Sequence, residues 1–206
     1  MTKTIGIVLF PDVEELDFVG PLEVFGALGK YFRQDWRVVT VAQDDGPLEA
    51  TNGLIVTPHH SFDDCPALDV LLVPGGIGTR RQEENDTLID FVARAGQDSK
   101  WVTSVCTGAL ILRKAGFLDG RKATTHWAAL DDLRAHAEVE VVEQRFVEDG
   151  NVITSAGVSA GIDMALHLVD RLEGREVALG VQKVIEYYPE PPFSQEPVAI
   201  SGKETH

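Results

Sequence analysis

The amino-acid sequence predicts a single α/β domain with a mainly parallel central sheet, and three observations support that prediction. Segments of strand character alternate with segments of helical periodicity along the whole chain. Several strand segments, residues 5–10 and 69–73 above all, are almost continuous apolar runs, which is typical of strands covered on both faces. A chain of 206 residues with 44% hydrophobic side chains is long enough to bury one sizeable core. We expect the domain to span residues 1–194 and residues 195–206 to form a loose tail.

In the first half of the chain, apolar runs are separated by short polar or glycine-rich breaks. Strands are predicted at residues 5–10, 36–42, 54–57 and 69–73, the third in a hairpin with residues 48–50. A loop is expected over residues 11–17. A helix is expected over residues 22–28, because Pro21 suits a first helical turn, and another over residues 88–95.

In the second half, a strand that includes Trp101, Val102 and Val105 leads into a helix that ends near Gly116. Further strands are predicted at residues 123–125, 139–142, 144–147 and 152–155. Helices are predicted at residues 127–136, 161–172 and 175–187, with Ser159 as the N-cap of the second and Pro189 after the third.

Cys106 lies at the junction between the strand that begins at Trp101 and the helix that follows it. Small neighbours, Ser104 and Gly108, leave room for a sharp turn that lifts the side chain at its apex out of the sheet. Such a strand-to-helix turn is typical of a nucleophile elbow, here with cysteine as the nucleophile. The N-terminus of the following helix is expected to favour the thiolate. From spacing alone, a buried structural cysteine is an equally good interpretation.

The charge and cysteine content narrow the functional class. A net charge of −15 argues against binding to nucleic acid or to anionic membranes, since both need a basic face. No segment approaches the apolar length of a membrane-spanning helix, and the N-terminus reads as a first strand and not as a signal peptide. We therefore expect a cytoplasmic protein whose two cysteines are reduced. Cys65 lies among acidic residues, which makes it a poor nucleophile, and neither cysteine has metal-site spacing, so no metal is expected.

Two further features lie where functional residues of a parallel α/β sheet gather, at the carboxyl ends of strands. Gly75 and Gly76 end the strand at residues 69–73, and their N–H groups are expected to face developing negative charge beside the amide after Cys106. An ordinary strand-to-loop turn is the alternative. His126 ends the predicted strand at residues 123–125. We expect it to line the pocket or support the fold, because the position two residues later, where a triad acid belongs, is Ala128.

Asp17 follows the first apolar strand and has apolar neighbours. A carboxylate in such a setting is costly unless it accepts hydrogen bonds or its pKa is raised. Near a thiol it can exchange a proton with the sulfur and act as a general acid or base. A helix cap or turn residue is the structural alternative.

These features occur within a longer set of ordered matches to a known family. The matching segments are Leu9-Phe10-Pro11, Glu15-Leu16-Asp17-Phe18-Val19-Gly20-Pro21, Val73-Pro74-Gly75-Gly76, Ser104-Val105-Cys106-Thr107-Gly108, Gly120-Arg121-Lys122-Ala123-Thr124-Thr125-His126-Trp127, Thr154-Ser155-Ala156-Gly157-Val158-Ser159-Ala160-Gly161-Ile162-Asp163 and Tyr188-Pro189-Glu190-Pro191-Pro192-Phe193. On them the chain resembles the ThiJ/PfpI superfamily, part of the class I glutamine amidotransferase-like fold. It is most similar to the isocyanide hydratases and to the sensor halves of certain AraC-type regulators.

The resemblance implies a three-layer, flavodoxin-like sandwich and a set of site residues. It implies that Cys106 is the nucleophile, Asp17 its carboxylate partner and Thr107 a hydroxyl and amide beside the sulfur. Gly75 and Gly76 match the backbone donors that face the sulfur. An apolar pocket for an uncharged substrate is expected from Phe18, Ile77 and Trp127, beside His126. The family is commonly homodimeric, so a homodimer is implied here.

The function implied by this resemblance is cofactor-independent hydration of an isocyanide to an N-substituted formamide, through a Cys106 thioimidate with Asp17 as general acid and base. The alternative from another class is a stand-alone small-molecule sensor related to the AraC-type ligand domains. A cysteine-dependent hydrolase or deglycase of small carbonyl adducts is a third possibility. The binding partner expected in each case is a small molecule.

Overall fold

The computed structural model describes residues 2–193, which form eleven strands and seven α-helices. The strands are β1 (Lys3–Val8), β2 (Trp36–Ala42), β3 (Leu48–Glu49), β4 (Ile55–Val56), β5 (His60–Ser61), β6 (Val70–Val73), β7 (Trp101–Val105), β8 (Lys122–Ala123), β9 (Glu140–Val141), β10 (Phe146–Asp149) and β11 (Val152–Ser155). The helices are α1 (Glu15–Ala27), α2 (Thr79–Gln82), α3 (Asp86–Asp98), α4 (Gly108–Lys114), α5 (Leu130–Arg134), α6 (Ala160–Glu173) and α7 (Arg175–Val184). Ser194 and the predicted loose tail at residues 195–206 lie outside the described residues.

The central sheet has seven strands in the order β10-β11-β7-β6-β1-β2-β5, and only the β10–β11 pair is antiparallel. Every residue of β6, β7 and β11 is buried, as the continuous apolar runs predict for strands covered on both faces. Helices α1, α6 and α7 contact one another in one layer, and α3 and α4 contact each other and β6 in the second. The predicted three-layer α/β sandwich with a mainly parallel sheet is confirmed.

The sheet register brings the ends of neighbouring strands to one edge. Val73 at the end of β6 pairs with Ser104, and Ser155 at the end of β11 pairs with Val105. Because these strands are parallel, the loops that leave them meet at that edge. The segments that follow β1, β6, β7 and β11 therefore surround Cys106, the first residue after β7.

The first helix begins at Glu15, seven residues before the predicted start, and Pro21 lies inside it. The loop predicted over residues 11–17 therefore ends at residue 14, and Pro21, predicted for the first helical turn, has six helical residues before it. Glu15 and Asp17 occupy the first turn, where negative charge is favourable next to the helix N-terminus. A Cβ at Gly20 would come within 2.9 Å of the Ile162 side chain, so glycine permits close contact between α1 and α6. Asp17 therefore sits on a rigid helix and not on a loop.

Other differences concern short or terminal elements. Helix α2 and strand β5 are absent from the prediction because each contains too few residues to show a periodic pattern. The prediction that His126 follows a strand of the central sheet is wrong, because β8, the strand before it, pairs only with β9. The predicted helix at residues 127–136 is a 3-10 turn, Trp127–Ala129, followed by α5. Helix α7 ends at Val184 and not at residue 187, and Ser159 precedes α6 without a side-chain capping bond.

The hairpin predicted from residues 48–50 and 54–57 is present as β3 and β4, which pair antiparallel. Within residues 2–193, no helix combines the length and the apolar character needed to cross a lipid bilayer.

Candidate active site

Cys106 forms the apex of the turn between β7 and α4 and has a positive φ of 56°. A non-glycine residue in this region is strained, and such strain persists only where the surroundings hold it. Here the Cys106 N–H donates to the carbonyl oxygens of Ser155 and Ala156, both at 3.1 Å. The Thr125 hydroxyl donates to the Cys106 carbonyl oxygen at 2.8 Å. The strained elbow is therefore held from β11 on one side and from the segment before His126 on the other.

Gly108, two residues after Cys106, allows the turn to approach the neighbouring strand. A Cβ at this position would lie 2.1 Å from the carbonyl oxygen of Val73, at the end of β6. The small residue expected next to the cysteine is therefore required by the contact between the start of α4 and the end of β6.

Asp17 is fully buried, and its Oδ2 accepts a hydrogen bond from the Gly75 N–H at 2.9 Å. Burial raises the pKa of this carboxyl to about 7; the Gly75 bond opposes the rise, the negative charge of Glu14 adds to it, and the Cys106 thiol lowers the pKa as a donor. Its other oxygen, Oδ1, has no regular hydrogen bond within the described chain. Asp17 is therefore poised to gain or lose a proton near neutral pH, next to the thiol.

Burial, followed by the negative charge of Asp17, raises the pKa of the Cys106 thiol to about 12. The N–H groups of Thr107 and Val158 and the Thr107 side chain lower it, but less than burial raises it. The amide at the start of the helix does favour the thiolate, as expected, but burial and the charge of Asp17 outweigh it. Only 6% of Cys106 is exposed, so desolvation dominates over the dipole of the seven-residue helix α4. Burial and the Asp17 carboxylate therefore favour the protonated thiol over the thiolate.

The N–H groups of Gly75 and Gly76 are already used, which corrects their predicted role as free donors toward the sulfur. Gly75 donates to Asp17, and Gly76 donates to the Thr107 hydroxyl at 3.1 Å. A Cβ at Gly75 would lie 2.4 Å from that hydroxyl oxygen, so the close approach that suggests an anion site instead serves to position Asp17 and Thr107. The Thr107 hydroxyl also contacts that of Thr79, at 2.8 Å, from the unpredicted helix α2.

The N–H groups that lower the pKa of the Cys106 thiol are those of Thr107 and Val158. The Thr107 amide is the one predicted from the elbow, whereas Val158 was not identified. Val158 has a positive φ of 45° in the turn before α6. Since a β-branched residue is among the least suited to that conformation, no local sequence signal indicates it.

His126 lies in the wall of the same cavity and makes no hydrogen bond to Cys106 within residues 2–193. Its Nδ1 accepts from the Ala128 N–H at 3.3 Å, and burial lowers its pKa. Its ring packs against Gly157, where a Cβ would lie 2.2 Å away. His126 is therefore a neutral wall residue, as the missing triad acid predicts.

The cavity above Cys106 has a volume of about 510 Å³. Its walls are formed by Glu14, Gly76, Ile77, Thr79, Arg80, Cys106, Thr107, His126, Ala128, Ala129, Asp132 and Val158. An ion pair between Arg80 on α2 and Asp132 on α5 joins two of these walls. Glu14, Arg80 and Asp132 were not predicted to belong to the site, because their placement depends on α2 and α5 being brought together.

The apolar pocket residues fall into three different places. Ile77 lines the cavity and is mostly exposed. Phe18, by contrast, is 2% exposed and belongs to the hydrophobic core, which corrects its predicted place in the pocket. Trp127 is also outside the cavity wall; it is exposed, with its ring centroid 5.3 Å from that of His126. Phe18 faces the core because consecutive residues of an α-helix point in different directions, and its neighbour Asp17 in α1 is the one that faces the thiol.

Cys65 differs from Cys106 in its surroundings. Burial and then the negative charge of Asp64 raise its pKa to about 11, and its thiol donates to the Pro66 carbonyl oxygen at 3.3 Å. Cys65 does not line the cavity above Cys106. Substitution of Cys65 is therefore a suitable control for substitution of Cys106.

The chain is similar in sequence to one protein family and to proteins of two functional classes. The profile described as DJ-1/PfpI family matches residues 3–171. An isonitrile hydratase of Pseudomonas putida is 43% identical over 193 residues, which cover 94% of this chain and 82% of that protein. The HTH-type transcriptional regulator GbdR of Pseudomonas aeruginosa is 34% identical over 75% of this chain, but the match spans only 42% of the regulator.

Solved structures agree with these matches. A ThiJ/PfpI family protein from Pseudomonas syringae superposes with a TM-score of 0.87 at 37% identity, over 94% of this chain and 78% of that one. Drosophila melanogaster DJ-1beta superposes with a TM-score of 0.79 at 22% identity, over 92% and 100% of the two chains, and supports the fold alone. The ThiJ/PfpI resemblance read from the sequence is confirmed.

Proposed function

This chain belongs to the DJ-1/PfpI family, and we propose that within it the protein is a cofactor-independent isocyanide hydratase. The observation that carries the proposal is the buried pair of Asp17 and Cys106, in which a carboxyl with a pKa of about 7 adjoins a protonated thiol. The 43% identity to an isonitrile hydratase over most of both chains supports the choice of reaction.

The first half of the proposed reaction adds sulfur and a proton to one carbon atom. Ionised Asp17 takes the thiol proton of Cys106 as the sulfur attacks the terminal carbon of the isocyanide. The same carbon then takes that proton from Asp17. The product is a thioimidate, in which the former terminal carbon is bonded to sulfur, hydrogen and nitrogen. Asp17 is ionised again.

The second half adds water and releases the product. Asp17 removes a proton from water as the oxygen attacks the thioimidate carbon, and this proton is delivered to the substrate nitrogen. The carbon–sulfur bond then breaks, the hydroxyl proton returns to the departing sulfur, and an N-substituted formamide is formed. The Thr107 and Val158 N–H groups act on the sulfur and stabilise its negative charge during attack and departure. Water and isocyanide are the only reactants consumed.

Turnover of an aryl isocyanide tests the proposal directly. Purified protein is incubated with para-nitrophenyl isocyanide at pH 8, and formation of the formamide is followed by chromatography. Cys106→Ala and Asp17→Asn are each expected to reduce kcat/KM by at least about a thousandfold, because each removes a member of the proton-transferring pair. Cys65→Ala is the matched control and should retain wild-type activity. Absence of formamide with the wild-type protein would refute the hydratase proposal.

A binding function without turnover is the second candidate, and the match to transcriptional regulators favours it. In that case the 510 Å³ cavity above Cys106 is a sensor pocket. The two candidates differ in one measurement. A sensor would bind an isocyanide or another small molecule stoichiometrically and release no formamide, and Asp17→Asn would change affinity without abolishing a reaction.

We also propose that the protein is a cytoplasmic homodimer. A dimer is favoured by exposed apolar side chains on α1 and the adjoining hairpin, among them Leu16, Val19 and Ile55. Glu15 ties these elements together, since its carboxylate accepts from the N–H and the side chain of Asn52, both at 2.7 Å. Light scattering coupled to size-exclusion chromatography tests the state. A mass of 22.5 kDa at micromolar concentration would contradict the dimer.

A further inference from the structure

A second cavity, of about 330 Å³, lies at the carboxyl ends of β1 and β2. Its apolar lining includes Leu9, Phe10, Leu48 and Leu88, and its polar lining includes Gln43, Asp44, Gln82 and Asn85. This cavity and the one above Cys106 have no lining residue in common. The volume lies in the range of small-molecule sites, and no step proposed for Cys106 uses it.

Three side-chain amides in this cavity are oriented by a single backbone contact. Asn85 is the N-cap of α3, and its Oδ1 accepts from the Leu88 N–H at 3.4 Å. A backbone N–H can only donate, so the atom facing it must be the amide oxygen. The Asn85 amide nitrogen therefore faces Gln43 and Gln82, and it donates to their Oε1 atoms at 3.0 and 2.9 Å.

The two bonds from Asn85 engage the side-chain oxygens of Gln43 and Gln82 and leave their NH₂ groups available to donate. With both Oε1 atoms held by Asn85, each Nε2 presents donors only, and neither donates to another group within residues 2–193. Gln82 is only 8% exposed, so its side chain is held almost entirely by the protein. Both NH₂ groups are open to the cavity and not sealed in the core, so each can donate to water or to a ligand that carries an acceptor.

We propose that this cavity is a binding site for a small uncharged molecule that presents a carbonyl oxygen to Gln43 and Gln82 and an apolar body to Phe10, Leu48 and Leu88. The donors select an acceptor oxygen, and the fixed orientation of Asn85 prevents the glutamines from turning to accept instead. The Asp44 carboxylate in the same wall disfavours an anion. The ligand class is therefore that of carboxamides and similar carbonyl compounds, not carboxylates. The proposal stands independently of the reaction at Cys106.

Three probes of matched shape test the proposal on the full-length protein. Benzamide, benzoate and toluene are each titrated at pH 7 while the side-chain NH₂ signals of Gln43 and Gln82 are followed by ¹H–¹⁵N NMR. Benzamide is expected to shift both signals along a saturable curve with a millimolar dissociation constant. Toluene lacks the oxygen and is expected to bind at least about fivefold more weakly, the loss of one hydrogen bond. Benzoate keeps its acceptor oxygens but is expected to bind at least about fivefold more weakly because the Asp44 carboxylate repels its charge.

Isosteric variants identify the donors. Gln82→Glu keeps an oxygen for Asn85 but removes the free NH₂ group, and it is expected to weaken benzamide binding about five- to tenfold. Gln43→Glu makes the same change on an exposed side chain, so it decides the question if the first variant does not fold. Trp127→Ala, beside the other cavity, is the matched control and should leave the affinity unchanged.

Two results would overturn the proposal. One is benzamide leaving the signals of both glutamines unmoved up to its solubility limit, which would show that water alone accepts from them. The other is benzoate binding as tightly as benzamide, which would show that the site does not discriminate against charge.

Discussion

At the scale of single residues, Asp17 is fully buried, and that burial raises its pKa to about 7. Its ionised form receives the thiol proton in the proposed reaction, so kcat/KM for an aryl isocyanide is expected to rise with pH through about 7 and then level off. The measurement is a pH–rate profile between pH 5 and 9. Cys65→Ala should reproduce the wild-type profile. A rate that is flat across this range would contradict the assigned role.

The same carboxyl affects stability in the opposite direction to activity. Its pKa is raised from 3.8 in the unfolded chain to about 7 in the folded one, so stability falls as pH rises from about 4 to 7. Asp17→Asn removes this penalty and is expected to raise the free energy of unfolding at pH 8, by on the order of 2–4 kcal/mol. At pH 4 the gain should largely vanish. Urea unfolding at the two pH values measures it.

A variant equally stable or less stable than wild type at pH 8 would count against a raised pKa at Asp17. The comparison with activity is informative, because the variant expected to be most stable is also expected to be nearly inactive. Residues at functional sites commonly show this conflict between stability and activity.

At the scale of elements, the turn from β7 to α4 depends on glycine where two backbones meet. Gly108→Ala places a Cβ 2.1 Å from the Val73 carbonyl oxygen, and neither backbone can move without shifting β6 or Cys106. We expect a loss of about 2 kcal/mol or more in the free energy of unfolding, and a lower kcat because the elbow moves. Chemical denaturation and turnover assays measure the two effects.

Gly26→Ala is the matched control for this prediction. Gly26 lies in helix α1 with an ordinary φ, and a Cβ there would meet no atom within 4 Å. Alanine is a better helix former than glycine, so this variant is expected to gain up to about 1 kcal/mol. Equal effects of the two substitutions would show that the contact with β6 does not constrain the elbow.

At the scale of the whole molecule, Glu173 joins segments that are far apart in sequence. Its carboxylate, at the end of α6, accepts from Lys3 at 3.1 Å, from Arg33 at 2.7 Å and from the Trp36 indole at 2.7 Å. Burial alone would raise its pKa, but the bonds to Trp36, Arg33 and Lys3 together lower it to about 2. The beginning of β1, the beginning of β2 and the end of α6 are thereby held at one point.

Glu173→Gln is expected to lower the free energy of unfolding at pH 7 by about 1–2 kcal/mol. The value is limited because Lys3 and Arg33 remain partly exposed and screened by solvent. The folded-state pKa is depressed, so this contribution is present above about pH 4.5 and is lost as pH falls through about 2. Thermal unfolding at pH 7 and pH 2.5, with the exposed Glu49→Gln as control, measures the difference. A deficit that stays constant with pH would argue against the ionic origin.

Sequence reasoning was most successful where a pattern is local and long. The apolar runs of β1 and β6 identify strands covered on both faces, and the short step from Val105 to Gly108 identifies a strand-to-helix turn with Cys106 at its apex. It failed for elements of two to four residues, such as α2, and for the start of α1, where a proline that suits a first turn lies further along the helix. Short elements have no periodicity, and their formation depends on contacts made elsewhere in the chain.

By itself, the sequence determined the α/β class, the parallel sheet and the position of Cys106 on its turn, whereas the choice of Asp17 as the partner of Cys106 came from the family resemblance. Only the tertiary structure decided that the N–H of Val158 acts on the sulfur beside that of Thr107, while those of Gly75 and Gly76 bond elsewhere. It also decided how far burial and the Asp17 carboxylate raise the pKa of the Cys106 thiol. The physical reason is that hydrogen-bond assignment and desolvation depend on which atoms surround a group in three dimensions, and segments distant in sequence supply most of those atoms.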